Sequence, residues 1–265
     1  MKRIILCADD YGQNKAISQA IIDLLAKKRL TAVSCLVTGK LWLAHATLLK
    51  PHYNQADIGL HFNLTHEKSY SLPNLLARSY LRLISREMIV SELNTQLDLF
   101  IEGVGKPPDF IDGHQHIHQF PVIKDALFDV YEKRGLKCYV RCTYNASVFK
   151  AFNQNSFLKK LFIQYVLTNS FKMQLTQRNI PHNSSFSGIY DFSNVSYEDL
   201  FRNFLTQIED MGMIMCHPAY DDLSSERDAL NNARFQEWSY FANERFKSDC
   251  KARNIFLTRF SNNRK

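Results

Sequence analysis

The stretch RIILCADDYGQNKAISQAIIDLLAKKRLTAVSCLVTG, residues 3–39, reads as strand, helix, strand. RIILCAD (3–9) is a short apolar run that ends on a carboxylate. Between residues 14 and 30 the apolar side chains Ile17, Ala20, Ile21, Leu24 and Leu25 recur at helical spacing. AVSCLVTG (32–39) is again a strand. A helix between two such strands carries the chain back for a parallel pairing. No G-x-G-x-x-G turn follows the first strand, which argues against an open dinucleotide-binding sheet.

The alternation continues outward from this unit. A helix is expected near 41–50, a third strand in ADIGLHFNLT (56–65), and a loop-rich insertion over 66–85. REMIVSELNTQLDLFIEGVG (86–105) predicts a helix, PDFIDGH (108–114) a strand, and PVIKDALFDVYEKRG (121–135) a helix with proline in its first turn and glycine at its end. LKCYVRCT (136–143) is the fifth strand, and 144–185 is an irregular insertion with one helix around 156–168. SGIYDF (187–192), GMIMCHP (212–218) and NIFLTRF (254–260) supply later strands, separated by helices near 197–210 and 227–250. The expected fold is therefore α/β: a single domain over 1–265, a distorted TIM-like (β/α) barrel of seven to eight mostly parallel strands.

Hydrophobic residues make up 45% of the 265, enough for a sizeable core and against global disorder. The formal charge of +7 favours anionic partners, but the only dense basic run is KKR at 27–29, so a solvated basic surface is the simpler reading. The six cysteines contain no C-x-x-C pair and sit in apolar stretches, which reads as free thiols in a reducing compartment. The N-terminal apolar run stops at two aspartates, too short for a signal peptide, and no stretch is long enough for a spanning helix. A cytoplasmic protein is expected.

Polar residues collect where strands end. Strand one ends in Asp9, Asp10, Tyr11; strand three carries His61 and Asn63; strand four ends in Asp112 and His114; strand five ends near Arg141; a later strand ends in His217. In a parallel fold those C-terminal ends share one rim, where active sites form. In FIDGHQHIHQF (110–120), Asp112, His114, His116 and His118 share one parity, so on a strand they would leave one face. Gly12 would let the chain turn sharply after the aspartates, so that neighbouring side chains can serve one site. Each feature alone has a bland explanation: a helix cap, a core histidine, a surface loop. Together they suggest two histidines and a carboxylate around a hydrolytic metal, a second carboxylate as base, and a further histidine as acid. Asp9, Asp10, His61, His114 and His217 supply those groups.

The motifs ADDYG (8–12), GLHFNLT (59–65), DGHQHIH (112–118) and MCHPAY (215–220) resemble, in order and spacing, those of the YdjC-like carbohydrate deacetylases. The resemblance implies a distorted (β/α) barrel and metal-dependent hydrolysis of the N-acetyl group of an amino sugar, such as a chitooligosaccharide or a lipid-linked glycan, with release of acetate. It implies Asp10, His61 and His114 as ligands of one divalent ion (magnesium or zinc first, then manganese, cobalt or nickel). Asp9 would be the base that deprotonates the attacking water, and His217 the acid beside the leaving amine. Tyr11, Asn63, Asp112, His116, His118 and Arg141 are expected to support ligands or meet substrate, with His116 and His118 lining the same pocket and Arg141 holding Asp9.

Two other functions compete. A phosphoesterase on a (β/α) barrel would need more metal ligands and a phosphate clamp, for which Arg141 is the candidate. A non-catalytic basic binding protein would have lost a ligand or the base. No nucleic-acid partner is expected. The apolar, basic segment 157–178 admits peripheral contact with a membrane, and a homodimer is compatible with the sequence.

Overall fold

The computed structural model describes residues 1–65, 70–144, 168–190, 192, 196–221 and 230–263. Its first half runs β1 (Lys2–Tyr11), α1 (Lys15–Ala26), β2 (Ala32–Cys35), α2 (Trp42–Ala46), β3 (Asp57–Phe62), α3 (Leu72–Tyr80), α4 (Arg86–Val104), β4 (Phe110–Gly113), α5 (Ile123–Lys133) and β5 (Tyr139–Val140). Helix α6 over 168–177 follows. Then come β6 (Phe186–Ser187), α7 (Tyr197–Gln207), β7 (Gly212–Cys216), α8 (Asn231–Ala242), α9 (Glu244–Ala252) and β8 (Ile255–Leu257).

The strands lie in the order β5-β4-β3-β2-β1-β7-β6, with β8 added along the first residues of β1. Each ladder among the described residues is parallel. No ladder joins the edges β5 and β6 among those residues. The seam is bridged instead by the chain before β6: Val140 N donates to Pro181 O at 2.9 Å, and the Asn183 amide pairs with both backbone groups of Cys142 at 2.8 Å. The result is a sheet curled most of the way into a barrel, with helices outside.

Two apolar layers follow from the strand period of two. One parity of β1, with Ile4, Leu6 and Ala8, packs in the large outer cluster with the helices. The other parity faces inward: Ile5, Cys7, Ala32, Phe110, Tyr139, Phe186, Met213 and Met215 form a separate cluster drawn from six strands, including both edges. Edge strands can share a cluster only because the sheet curls. Gly59 makes room in it, since a Cβ there would stand 2.5 Å from the Phe110 ring. Both faces are covered, so the strands read as continuous apolar runs rather than alternating ones.

The helices start where local chemistry allows. Asn14 caps α1 by accepting from Ile17 N, and Ser85 caps α4 by accepting from Met88 N. Gly105 ends α4 in the left-handed conformation (φ 81°).

Several expected boundaries are corrected. The loop-rich stretch 66–85 contains helix α3, opened by Ser71 and a proline in its first turn, while 66–69 lie outside the described residues. The helix expected over 41–50 is only five residues long before a 3₁₀ segment containing Pro51, which cannot donate to a helical ladder. The helix expected over 227–250 is two, because Asn243 leaves helical conformation and caps α9 through Arg245 N. The helix expected around 156–168 lies outside the described residues except for residue 168, as does half of the segment considered for membrane contact, 157–167 of 157–178; the other half holds α6. Among the described residues no helix is long and apolar enough to cross a membrane.

Candidate functional site

The rim of the barrel follows from its interior. Two residues beyond inward-facing positions stand polar ones: Asp9 after Cys7, Ser34 after Ala32, His61 after Gly59, Asp112 after Phe110, Arg141 after Tyr139, His217 after Met215. The same parity that fills the barrel with apolar atoms ends six of the strands on a polar group over one opening. That opening is a cleft of about 340 Å³, lined by Asp9, Asp10, His61, His114, His116, His217 and Arg234 with an aromatic wall of Tyr190 and Phe192.

Asp9 and Asp10 both face the cleft although they are neighbours. The alternation breaks at Asp10 itself, whose backbone is left-handed (φ 67°), and the ladder to β2 shifts register between Ala8 and Tyr11. Aspartate tolerates that conformation better than most residues. The turn expected at Gly12 (φ 94°) comes after this break.

The histidine segment is not a strand. β4 stops at Gly113, and Gln115 and His116 are left-handed (φ 55° and 62°), which turns His114–Gln119 into a kinked 3₁₀ segment. The shared parity of Asp112, His114, His116 and His118 therefore does not carry them to one face. His114 and His116 reach the cleft. His118 turns away from it: its Nε2 meets Arg141 O at 2.9 Å and its ring packs edge-on against Phe171. Tyr11 and Asn63 also stand outside the lining, Tyr11 donating to His45 O at 2.7 Å and Asn63 bonding Thr38 and the Thr65 backbone.

Three donor atoms converge. Asp10 Oδ1 lies 3.0 Å from His114 Nδ1 and 3.4 Å from His61 Nε2, and the two histidine nitrogens are 3.3 Å apart. Donors bonded to one ion at about 2.0–2.2 Å stand about 2.9–3.5 Å from each other, so these separations match edges of a coordination polyhedron. The set could hold a metal ion. His61 is oriented for it: Asp112 Oδ1 stands 2.6 Å from Nδ1, and Ser34 donates to the same oxygen at 2.6 Å, so Nε2 points at Asp10 and His114.

Charge is tightly balanced in this buried place. Burial would raise the Asp10 carboxyl, but Arg234, whose Nη2 is 2.7 Å from Oδ2, and His114 outweigh it and hold it well below the usual range. Burial would lower His61, yet Asp112 and Asp10 push it up to about 10. A cation at Nε2 therefore has to displace a proton. Arg141, fully buried, forks onto both oxygens of Asp9 at 2.6 Å and also reaches Asp112 Oδ2 at 2.7 Å and Cys7 Sγ at 3.0 Å. Both of its terminal nitrogens are engaged, and it does not line the cleft as a phosphate clamp would.

His217 is uncharged at neutral pH: burial lowers it to about 4 against the pull of Asp10 and Asp9. Burial also lowers His116, with Arg141 adding to it. The Nδ1 atoms of His116 and His217 are buried without a hydrogen-bond partner. Unpartnered polar atoms in a cleft are groups that a ligand can satisfy.

Sequence reasoning missed Ser34, Tyr190, Arg234 and Glu237. Glu237 is 1% exposed, accepts from Tyr190 OH at 2.7 Å and from His217 N, and is pushed up to about 7 by burial. Ser34 had a signal, being two residues after an inward alanine on β2. Arg234 and Glu237 had none, since α8 offers a mixed polar pattern and Asp10 is 224 positions from Arg234.

Comparison with known proteins adds to this geometry. The YdjC-like protein family model matches residues 3–252. A chitooligosaccharide deacetylase of Serratia marcescens is 30% identical over 147 residues. That match takes in 51% of this chain and 58% of the relative, less than two thirds of its length. Among solved structures, an Enterococcus faecalis V583 protein described as a candidate cellobiose-phosphate cleavage protein aligns with TM-score 0.70 at 18% identity over 98% of each chain. A peptidoglycan N-acetylglucosamine deacetylase aligns with TM-score 0.55 at 12% identity, covering 98% of this chain and 86% of that one. At those identities the two structures share the fold.

Proposed function

Because this chain belongs to the YdjC-like family, we propose that it is a carbohydrate deacetylase that removes the acetyl group from an N-acetylated amino sugar of the chitooligosaccharide type. The observation that carries this reading is the convergence of Asp10, His61 and His114 within 3.0–3.4 Å of one another, with Asp9 and His217 lining the same cleft. These three residues would hold one divalent ion, zinc or magnesium. When bound, such an ion supplies a Lewis acid for the acetyl carbonyl and for the water beside it.

The chain's own groups account for the rest of the reaction. Asp9, its orientation fixed by the Arg141 fork, accepts the proton of the attacking water. Ser34 and Asp112 keep His61 in one tautomer, and Arg234 keeps Asp10 in one rotamer, so neither ligand must reorganise during turnover. His217 is uncharged at rest, so the proton it delivers to the departing amine nitrogen is the one Asp9 has taken from the water, passed on as negative charge develops on the substrate, which returns Asp9 to its carboxylate form. Tyr190 and Phe192, 4.3 Å between ring centroids, offer an apolar face to a sugar ring. The engagement of Arg141 with two carboxylates argues against the phosphoesterase alternative, which needs a free clamp.

The test is acetate release from N-acetylglucosamine, chitobiose and longer oligomers, with chelator and with zinc or magnesium restored. Release that chelator abolishes and metal restores is expected. Turnover unaffected by chelator, or phosphate release from p-nitrophenyl phosphate without acetate release from any sugar, would overturn the reading.

A further inference from the structure

At the opposite end of the strands lies a second, differently built cleft. β8 pairs with Lys2–Ile4 at the start of β1, whereas Asp10 is near its end, roughly 20 Å away at about 3.3 Å per residue. This cleft, of about 470 Å³, lies between the chain after α1 and the α9–β8 segment. Arg29, from the basic run at 27–29, lines it while only 3% exposed. Its Nη2 donates to Glu244 at 2.7 Å, but its Nε and Nη1 are buried without a hydrogen-bond partner. Buried guanidinium nitrogens are rarely left so, which points to a missing acceptor.

The surroundings state what acceptor fits. Lys28, Lys247 and Lys251 line the same cleft and are exposed. Among the described residues no carboxylate lines it. Glu244, outside the lining, reaches Arg29 and Lys247 but is 75% exposed, so solvent screens it. Phe256, half exposed, and Leu257 form an apolar wall beside the cations. A planar guanidinium with free N–H groups matches a phosphate, and the wall matches an apolar or aromatic body attached to it.

We infer that this cleft binds a phosphate-bearing ligand with an apolar portion, the phosphate on Arg29 and the lysines and the apolar part on Phe256 and Leu257. The inference is independent of the deacetylase reading. A soluble aryl phosphate and a phospholipid headgroup share this chemistry, and the experiment separates them.

The isotope-labelled protein is titrated with phenyl phosphate, inorganic phosphate and phenol, and sedimented with phosphatidylglycerol or phosphatidylcholine vesicles. Phenyl phosphate is expected to bind about tenfold or more tighter than either fragment, with amide shifts at 28–29 and 247–257. The Lys28→Ala/Lys251→Ala variant should bind about tenfold more weakly with acetate release unchanged, and Arg29→Gln should lose binding. The lysine variant keeps the test valid if Arg29→Gln does not fold. Sedimentation with phosphatidylglycerol vesicles that phenyl phosphate reverses assigns the lipid source; phenyl phosphate binding without sedimentation assigns the soluble one. No binding of phenyl phosphate at millimolar concentration, equal binding of inorganic phosphate, shifts elsewhere, or an unaffected lysine variant overturns the inference.

Discussion

Arg141 shows how much one side chain can decide here. Asp9, His61 and Asp112 form a second group whose donor atoms lie within 4.8 Å of one another, and it too could hold a cation. The Arg141 guanidinium already supplies one, 2.6 Å from Asp9 and 2.7 Å from Asp112. Truncation to Arg141→Met leaves two buried carboxylates without their partner, a loss of about 3–5 kcal/mol. In the presence of excess zinc, metal analysis is expected to give one ion per chain in the wild type and two in this variant. An unchanged count would show that the guanidinium is not standing where an ion could. Strand-end position put Arg141 on the rim, and the family resemblance put it beside Asp9. It could not place His118 or Tyr11, because the direction of each depends on a local break in backbone conformation that no periodicity reports.

Helix α8 is the element that completes the site. Arg234 and Glu237 lie three residues apart, on one helical face, and reach Asp10 and the His217 backbone respectively. Arg234→Met should destabilise the metal-free protein by about 3–5 kcal/mol, since it strands the Asp10 carboxylate. A divalent ion should recover part of that loss by replacing the missing charge; denaturant melts with and without metal measure it. Glu237 predicts a pH effect of definite sign. Its carboxyl is raised from 4.5 to about 7, so the folded state holds the proton more tightly than the unfolded chain does. The associated stability is present below pH 4.5 and lost as pH rises through 7. Relative to Glu237→Gln, the wild type should therefore lose up to ~3 kcal/mol between those limits. A pH-independent difference would place the titration elsewhere. In the N-terminal part of the chain, β1 through α1 to β2 followed the sequence pattern closely, with a capped helix between two buried strands. The 227–250 region did not, because Asn243 fits either a helix interior or a cap, and the packing of α9 against β8 settles which.

For the molecule as a whole, an ion that binds only the folded chain must stabilise it. At a free concentration one hundred times Kd the gain is about 2.7 kcal/mol, and chelator should remove it. A melting temperature indifferent to both would mean that the three donors do not act together in solution. The strand-by-strand layering explains why so much was readable. Alternation of short apolar strands with amphipathic helices is local information, and it announced a parallel barrel; the polar residues closing those apolar runs announced a rim at the strand ends, with Asp9, Asp10, His61, His114 and His217 as candidates upon it. Which of those groups touch is not local. The 3.0 Å approach of Asp10 to His114 joins residues 104 positions apart, and Arg234 and Glu237 enter the site from a helix with no motif at all. Those contacts depend on how tightly the sheet curls and where its helices settle, quantities set by packing volume and charge pairing across the entire barrel rather than by any run of neighbouring residues.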